Sequence, residues 1–145
     1  MSFADPAQNI QHFGLAAGMK VADFGAGAGA YTLLLAKRVE DGKVYAVDVQ
    51  KELLERLAQE ARAKHLSNVE VVWGDIEKVG GTKFRDGSLD AVLLSNVLFQ
   101  AKAGYTVALE VARVLHLGGV AIVIDWSDSF GGLGPHPADV VTADK

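Results

Sequence analysis

The sequence contains no cysteine, and this absence excludes several kinds of chemistry at once. Without thiols there are no disulfides, no thiolate metal sites and no cysteine nucleophile. No apolar run approaches the roughly 18 residues that a membrane-spanning helix needs. The first ten residues, MSFADPAQNI, also lack the basic and apolar regions of a secretory signal. We therefore expect a cytoplasmic protein.

The excess of negative over positive charge is also small, since the net charge is only −4 over 145 residues. So weak an acidic balance gives no electrostatic indication of nucleic acid or an anionic membrane as a partner. No histidine and carboxylate spacing indicates a metal site. No repeat, low-complexity tract or linker divides the chain. We expect one domain over residues 1–145, with a helical segment at 1–18 and a glycine- and proline-rich tail at 127–145.

What the chain does contain is an alternation of short β-branched runs with segments of helical periodicity. The predicted strands are residues 19–24, 43–47, 68–73, 89–95 and 120–125. The predicted helices are residues 6–13, 31–39, 51–64 and 103–115. This alternation is typical of βαβ units and predicts an α/β fold with a doubly wound, mostly parallel sheet. The continuous apolar runs VLL (92–94) and VAIVI (120–124) indicate strands buried on both faces.

The stretch VADFGAGAGAYT, residues 21–32, predicts a ligand-binding loop. Gly25, Gly27 and Gly29 follow the first strand, where ligands bind in such sheets, and they permit positive φ and close approach. Two ligand classes compete. Gly25, Gly27 and Ala30 satisfy the G-x-G-x-x-A dinucleotide fingerprint, with Asp48 on a ribose hydroxyl pair. That interpretation predicts an NAD-dependent oxidoreductase.

The second class is S-adenosylmethionine, and here several motifs resemble the class I (Rossmann-like) methyltransferases. Residues 23–29, DFGAGAG, are similar to motif I of that family, and Asp48 in VYAVDVQ matches the acid that ends strand 2. Gly74-Asp75-Ile76 matches the end of strand 3, and LDAVLLSNVLFQ (89–100) the strand 4 motif. In RVLHLGG (113–119), relatives often have proline where this chain has Leu117. Asp23 and the Gly74-Asp75 pair favour S-adenosylmethionine over a nicotinamide cofactor.

The resemblance implies a role for each matching residue. Asp48 would bind the ribose hydroxyls, Asp75 the adenine amino group, and Asp23 the methionine amino group. Ile76 would pack near the adenine ring, and Tyr31 and Thr32 would reach the methionine end. The full set implied to bind S-adenosylmethionine is Asp23, Gly25, Ala26, Gly27, Gly29, Tyr31, Thr32, Asp48, Val49, Gly74, Asp75, Ile76, Asn96, Val97 and Leu98.

The methyl acceptor is not named by these motifs. The strand 4 motif has no proline, unlike enzymes that methylate amino groups of adenine or glutamine, and cytosine C5 and arsenite methylation need cysteine. A small molecule, as in quinone-type methyltransferases, is favoured over RNA or protein. A non-catalytic cofactor-binding or assembly module is the alternative. Candidates beside the acceptor are Phe99, Gln100, Trp126 and Phe130; His136 is a candidate base or a surface histidine.

The chain also departs from the class I pattern after strand 5. That fold continues with a helix and antiparallel strands 6 and 7, whereas only 19 residues follow Trp126. We therefore expect a three-layer fold with five parallel strands in order 3-2-1-4-5, without strands 6 and 7. Strand 5 would be an unprotected edge. We expect a second copy of the chain to cover it as a homodimer; a truncated gene product or fragment is the alternative.

Overall fold

A five-stranded parallel sheet lies at the centre of the protein, in a computed structural model that describes residues 5–95, 97 and 104–124. The strands are β1 (Lys20–Phe24), β2 (Lys43–Asp48), β3 (Val69–Trp73), β4 (Leu89–Ser95) and β5 (Leu115–Ile124). Their order in the sheet is β3-β2-β1-β4-β5, and all four strand pairs are parallel. The predicted α/β fold class and strand order are confirmed.

In the described part of the chain, four helices flank this sheet: α1 (Pro6–Asn9), α2 (Ala30–Arg38), α3 (Lys51–Ala63) and α4 (Gly104–Val114). A 3-10 turn, Ile10–His12, extends α1. Asp5 caps α1 by accepting a hydrogen bond from the Ala7 N–H at 3.1 Å, and Pro6 occupies the first helical position. Within the described residues, no helix has the length and apolar character needed to cross a membrane.

Alternate residues of the strands supply the two sides of the core. On one face, Val21 and Val44 pack with α2 and the α1 segment, and Ala46 packs with α3. On the other face, Ala22 and Val92 pack with α4. The result is three layers, with α1, α2 and α3 on one side of the sheet and α4 on the other.

Strand β5 differs from its prediction, which began it at residue 120 after a turn at Gly118-Gly119. It begins at Leu115, so α4 ends one residue earlier, at Val114. Leu115 pairs with Leu89 and Val120 with Ala91, so five steps along β5 match two along β4. The extra residues form an irregularity in which Gly118 has a φ of +88°. Such an insertion is a bulge, which helix and strand periodicity do not reveal.

The prediction that β4 and β5 are both buried on two faces is confirmed for β4 and wrong for β5. Val92, Leu93 and Leu94 of β4 are buried, as the continuous apolar run predicts. The prediction that β5 is buried on both faces is wrong for the described residues, because Val120 is 49% exposed and Val123 is 52% exposed. The reason is position: β5 lies at the edge of this five-stranded sheet, whereas β4 lies between two strands.

Candidate functional site

The glycine loop crosses the carboxyl end of the sheet between β1 and α2. The N–H groups of Gly25 and Ala26 both donate to the Val47 carbonyl oxygen, at 2.8 and 3.0 Å, which turns the chain over the end of β2. Gly25 has a φ of +75°, and a Cβ there would lie 2.8 Å from a methyl group of Val97. A side chain at this position is therefore excluded by both conformation and space.

A cavity of about 310 Å³ opens beside this loop, and we call it the larger site cavity. It lies at the carboxyl ends of β1 to β4, where parallel sheets of this kind bind ligands. The predicted residues that line it are Gly25, Gly27, Asp48, Val49, Gly74, Asp75, Ile76 and Val97. Residues from four separate predicted motifs therefore meet in one cavity.

Asp48 is the central acid of the larger site cavity. Its side chain is 8% exposed, and its Oδ2 accepts a hydrogen bond from the Gly27 N–H at 2.9 Å. Its Oδ1 accepts another from the Gln50 N–H at 3.0 Å. A carboxylate has about four acceptor sites, so each oxygen can accept a further hydrogen bond from a ligand hydroxyl. The arrangement suits a vicinal diol.

A second cavity, of about 220 Å³, lies on the other side of Gly25, and we call it the smaller site cavity. Gly25 and Ser95 line both cavities. The predicted residues that line the smaller one are Asp23, Gly25, Ala26 and Tyr31. The Tyr31 hydroxyl accepts a hydrogen bond from Asn9 Nδ2 at 2.8 Å, which brings the N-terminal helical segment to the cavity.

Asp23 is the buried acid of the smaller site cavity, with a side chain only 2% exposed. Burial raises its pKa from the ordinary 3.8 to about 6, despite the opposing hydrogen bond from Thr32, and the Asp48 charge adds to the rise. Thr32 Oγ1 donates that bond to Asp23 Oδ2 at 2.8 Å. A carboxylate held in this way favours a cationic neighbour, which would restore its charged form.

Two predicted site residues have other positions. Thr32 is fully buried and orients Asp23 rather than lining either cavity. Gly29 caps α2 with a φ of +85°, and a Cβ there would lie 2.2 Å from Leu57 Cδ1. Because Gly29 has no side chain, α3 can pack closely against the loop. The remaining predictions, Asn96, Leu98, Phe99, Gln100, Trp126, Phe130 and His136, lie outside the described residues.

Several lining residues were not predicted. Gln50 and Glu77 follow Asp48 and Asp75 by two positions, and each N–H donates to the acid's side chain, at 3.0 and 2.9 Å. This i, i+2 bond is the Asx turn, so an aspartate at the end of a predicted strand was the available signal. Pro6 lines the smaller site cavity because α1 packs on α2, and no local signal marks it. The other unpredicted lining residues are Val47, Ser95 and Ala28, while Ala30 was predicted only as part of the dinucleotide fingerprint.

Comparison with known proteins places these motifs in a wider group. A family model described as a methyltransferase domain matches residues 15–140. The chain is 31% identical over 111 residues to the demethylmenaquinone methyltransferase of Geobacillus stearothermophilus, covering 76% of this chain and 46% of that protein. It is 33% identical over 120 residues to the Staphylococcus aureus (strain MRSA252) protein of the same name, covering 81% and 47%. The chain thus spans about half the length of these curated relatives.

A solved structure gives the same picture for the fold. The crystal structure of a SAM-dependent methyltransferase from Aquifex aeolicus superposes with a TM-score of 0.84 and 32% sequence identity. The superposition covers 95% of this chain and 72% of that one.

Proposed function

Because the chain belongs to the family of methyltransferase domains, we propose that it binds S-adenosylmethionine and transfers its methyl group to a small-molecule acceptor. The observation that carries the proposal is that the two site cavities share two lining residues, Gly25 and Ser95, and that each contains a buried acid. One acid suits the ribose and the other suits the amino acid of a single extended ligand.

The larger site cavity fits the adenosine half of this cofactor. Asp48 keeps free acceptor sites for the two ribose hydroxyls after accepting from Gly27 and Gln50. Asp75 and Ile76 line the same cavity and offer a carboxylate and an apolar surface for the adenine. A Cβ at Gly27 would meet no atom within 4 Å, so the loop leaves open space beside Asp48.

The smaller site cavity fits the methionine half. Among the described residues, Asp23 accepts no hydrogen bond from a cationic group, and the ammonium group of methionine would supply a cationic partner. Thr32 fixes the carboxylate, while Tyr31 and Ala28 form other parts of the wall.

When bound, the cofactor would supply a methyl group on a sulfonium sulfur, which leaves as a neutral thioether when a nucleophile bonds to the methyl carbon. The contribution of the chain is to hold the two halves of the ligand in its two cavities and so to align the methyl group. A proton acceptor is needed only if the acceptor atom must lose a proton before or during attack.

A small-molecule acceptor is supported by the curated relatives, which are named for demethylmenaquinone. The weak net charge of −4 gives no support to a nucleic acid acceptor. We therefore propose a quinone-type ring as the first acceptor to test. The cytoplasmic location stays a prediction.

We also propose that the protein works as a homodimer. A cavity of about 680 Å³ with mainly apolar walls lies between α4 and β5. Val123 and Tyr105 line it and are 52% and 78% exposed. An apolar face next to a sheet edge favours association, because it would otherwise be left in water.

The test of the enzymatic proposal is transfer of a labelled methyl group. Purified protein is incubated with methyl-labelled S-adenosylmethionine and demethylmenaquinone, and label in the acceptor is measured together with S-adenosylhomocysteine. We expect transfer by the wild type and by Asp41→Asn, a matched change of an exposed acid in the turn before β2. Asp48→Asn should be at least about tenfold slower at limiting cofactor, because bonds to a charged group are lost.

Two other outcomes would replace the proposal. Cofactor binding without consumption across a panel of quinones, phenols and amines would indicate a binding or assembly module. Binding of NAD with no binding of S-adenosylmethionine would indicate an oxidoreductase, with the glycine loop acting on a pyrophosphate.

A further inference from the structure

Glu110 of α4 is a carboxylate with no exposed surface, on the opposite side of the sheet from the glycine loop's helix. Its Oε1 accepts from the Gly80 N–H at 2.7 Å and its Oε2 from the Thr82 N–H at 3.2 Å. Oε2 also accepts from the Thr82 hydroxyl. Arg113 donates to both oxygens, at 2.7 and 2.8 Å. A buried carboxylate is tolerated only when it is paired and hydrogen-bonded in this way.

The charged state of Glu110 follows from these bonds. Burial alone would raise its pKa, but the hydrogen bonds from Arg113, Thr82 and Gly80 outweigh burial and lower the pKa to about 2. Glu110 is therefore an anion at neutral pH, and hydrogen bonds to an anion are stronger than neutral ones.

Glu110 binds residues 80 and 82, and the segment 80–82 packs behind Gly74 and Asp75, which line the larger site cavity. The Asp75 N–H donates to the Gly81 carbonyl oxygen at 3.1 Å, and the Gly81 N–H donates to the Lys78 carbonyl oxygen at 2.8 Å. A Cβ at Gly74 would lie 2.7 Å from that Gly81 oxygen. Gly74 and Asp75, which line the cavity, are therefore in direct contact with the residue between the two that Glu110 binds.

Arg113 secures the rest of the same loop. Its Nη1 donates to the Phe84 carbonyl oxygen at 2.7 Å and to Asp86 Oδ1 at 2.8 Å. The Gly87 N–H in turn donates to the Arg113 carbonyl oxygen at 2.8 Å. The loop between β3 and β4 contains no helix or strand of its own, so its course depends on hydrogen bonds within the loop and on these bonds to α4.

We propose that Glu110 is a positioning residue that sets the affinity of the larger site cavity for adenosine, acting through Gly80 to Thr82 on Gly74 and Asp75. This inference rests on the proposed function, because it takes the ligand to be an adenosine derivative. Glu110 does not touch the cavity, and its effect reaches the ligand only through the backbone of the loop.

The test compares wild type and Glu110→Gln in calorimetric titrations with S-adenosylhomocysteine and with 5′-methylthioadenosine, which lacks the amino acid. The glutamine keeps the shape but turns an NH₂ group toward N–H donors, so the loop loses its anchor. We expect both ligands to bind roughly tenfold more weakly, by the same factor, as for loss of a hydrogen bond to a charged group. Hydrogen exchange should be faster in peptides covering residues 74–83.

Further variants separate positioning from stability. Val114→Ala removes buried volume from the same helix without touching the loop bonds, and we expect unchanged affinity below its melting temperature. Should Glu110→Gln not fold, Thr82→Val removes one donor to Glu110 and is expected to weaken binding about threefold, with Thr82→Ser restoring it.

The outcomes are distinguishable. Unchanged affinity in Glu110→Gln, or an equal loss in Val114→Ala, would overturn the inference while leaving cofactor binding intact. If the wild type binds neither ligand, the proposed function fails and the claim about adenosine affinity fails with it, and hydrogen exchange then tests whether Glu110 positions the loop. Faster exchange at residues 74–77 in Glu110→Gln would still support the positioning role, and unchanged exchange would overturn it.

Discussion

At the scale of single residues, the site depends on two acids in different environments. Asp48 accepts hydrogen bonds from two backbone N–H groups. Among the described residues, Asp23 accepts a side-chain hydrogen bond from Thr32 alone and is the more deeply buried of the two acids. The raised pKa of Asp23 means that its charged form is unfavourable in the free protein. A residue kept at a cost to stability is typical of functional sites.

The raised pKa of Asp23 predicts how the free energy of unfolding depends on pH. With a pKa of about 6 folded and 3.8 unfolded, the folded state binds more protons between these values, so stability falls as pH rises through this window. The integrated loss is about 3 kcal/mol by the linkage relation. Asp23→Asn should therefore be more stable than wild type near pH 7.5 by about 2–3 kcal/mol, and most of that difference should be gone near pH 4.

Urea unfolding of both proteins between pH 4 and pH 7.5 measures this difference. The same variant should bind S-adenosylhomocysteine at least about tenfold more weakly, because the ammonium group loses a charged partner. Asp41→Asn, at an exposed position, should change neither quantity. A stability gain that is equally large at pH 4 would show that burial of the charge is not its cause.

At the scale of elements, close packing places the glycine loop. α3 lies so near the loop that Gly29 has no room for a Cβ against Leu57, which is itself buried. Gly27, two positions earlier, has open space instead. Helix packing thus explains why Gly29 has no side chain, whereas for Gly27 we propose that the space is left for the ligand.

The α4 and β5 elements give a prediction about association. If a second copy covers their apolar face, light scattering of the wild type should give the mass of two chains at micromolar concentration. Val123→Glu should give the mass of one chain, because the charge would be buried without a partner. Val79→Glu changes a valine of similar exposure, 57%, in the loop after β3 and should leave the dimer intact. A wild type with the mass of one chain would refute the dimer.

At the scale of the whole molecule, the carboxyl edge of the sheet was predictable and the loop behind it was not. Asp48 and Asp75 end strands by local pattern, and parallel topology then brings them to one edge. Glu110 and Arg113 have the spacing of an ordinary exposed helix pair, i and i+3. Glu110 is instead buried and accepts a hydrogen bond from Thr82, which is 28 positions away, and single-sequence periodicity carries no such information.

The prediction of where β5 begins was wrong for a related reason. His116 Nε2 lies 2.7 Å from Asp90 Oδ1, and Asp90 Oδ2 accepts from the Lys20 N–H at 2.8 Å, so three strands meet at the bulge. Gly118 and Gly119 are typical of a turn in sequence, but here they allow an irregular strand beside β4. The two glycines correctly indicated an irregular backbone, but the turn that we predicted from them is part of a strand.

Calorimetric titration of the wild type and Asp48→Asn with S-adenosylhomocysteine, S-adenosylmethionine and NAD tests the central claim most directly. We predict micromolar binding of both sulfur ligands, no binding of NAD, and affinity reduced by about tenfold or more in the variant, since bonds to a charged carboxylate are lost. Asp41→Asn should bind like the wild type. Tight binding of NAD, with neither sulfur ligand bound, would contradict the account.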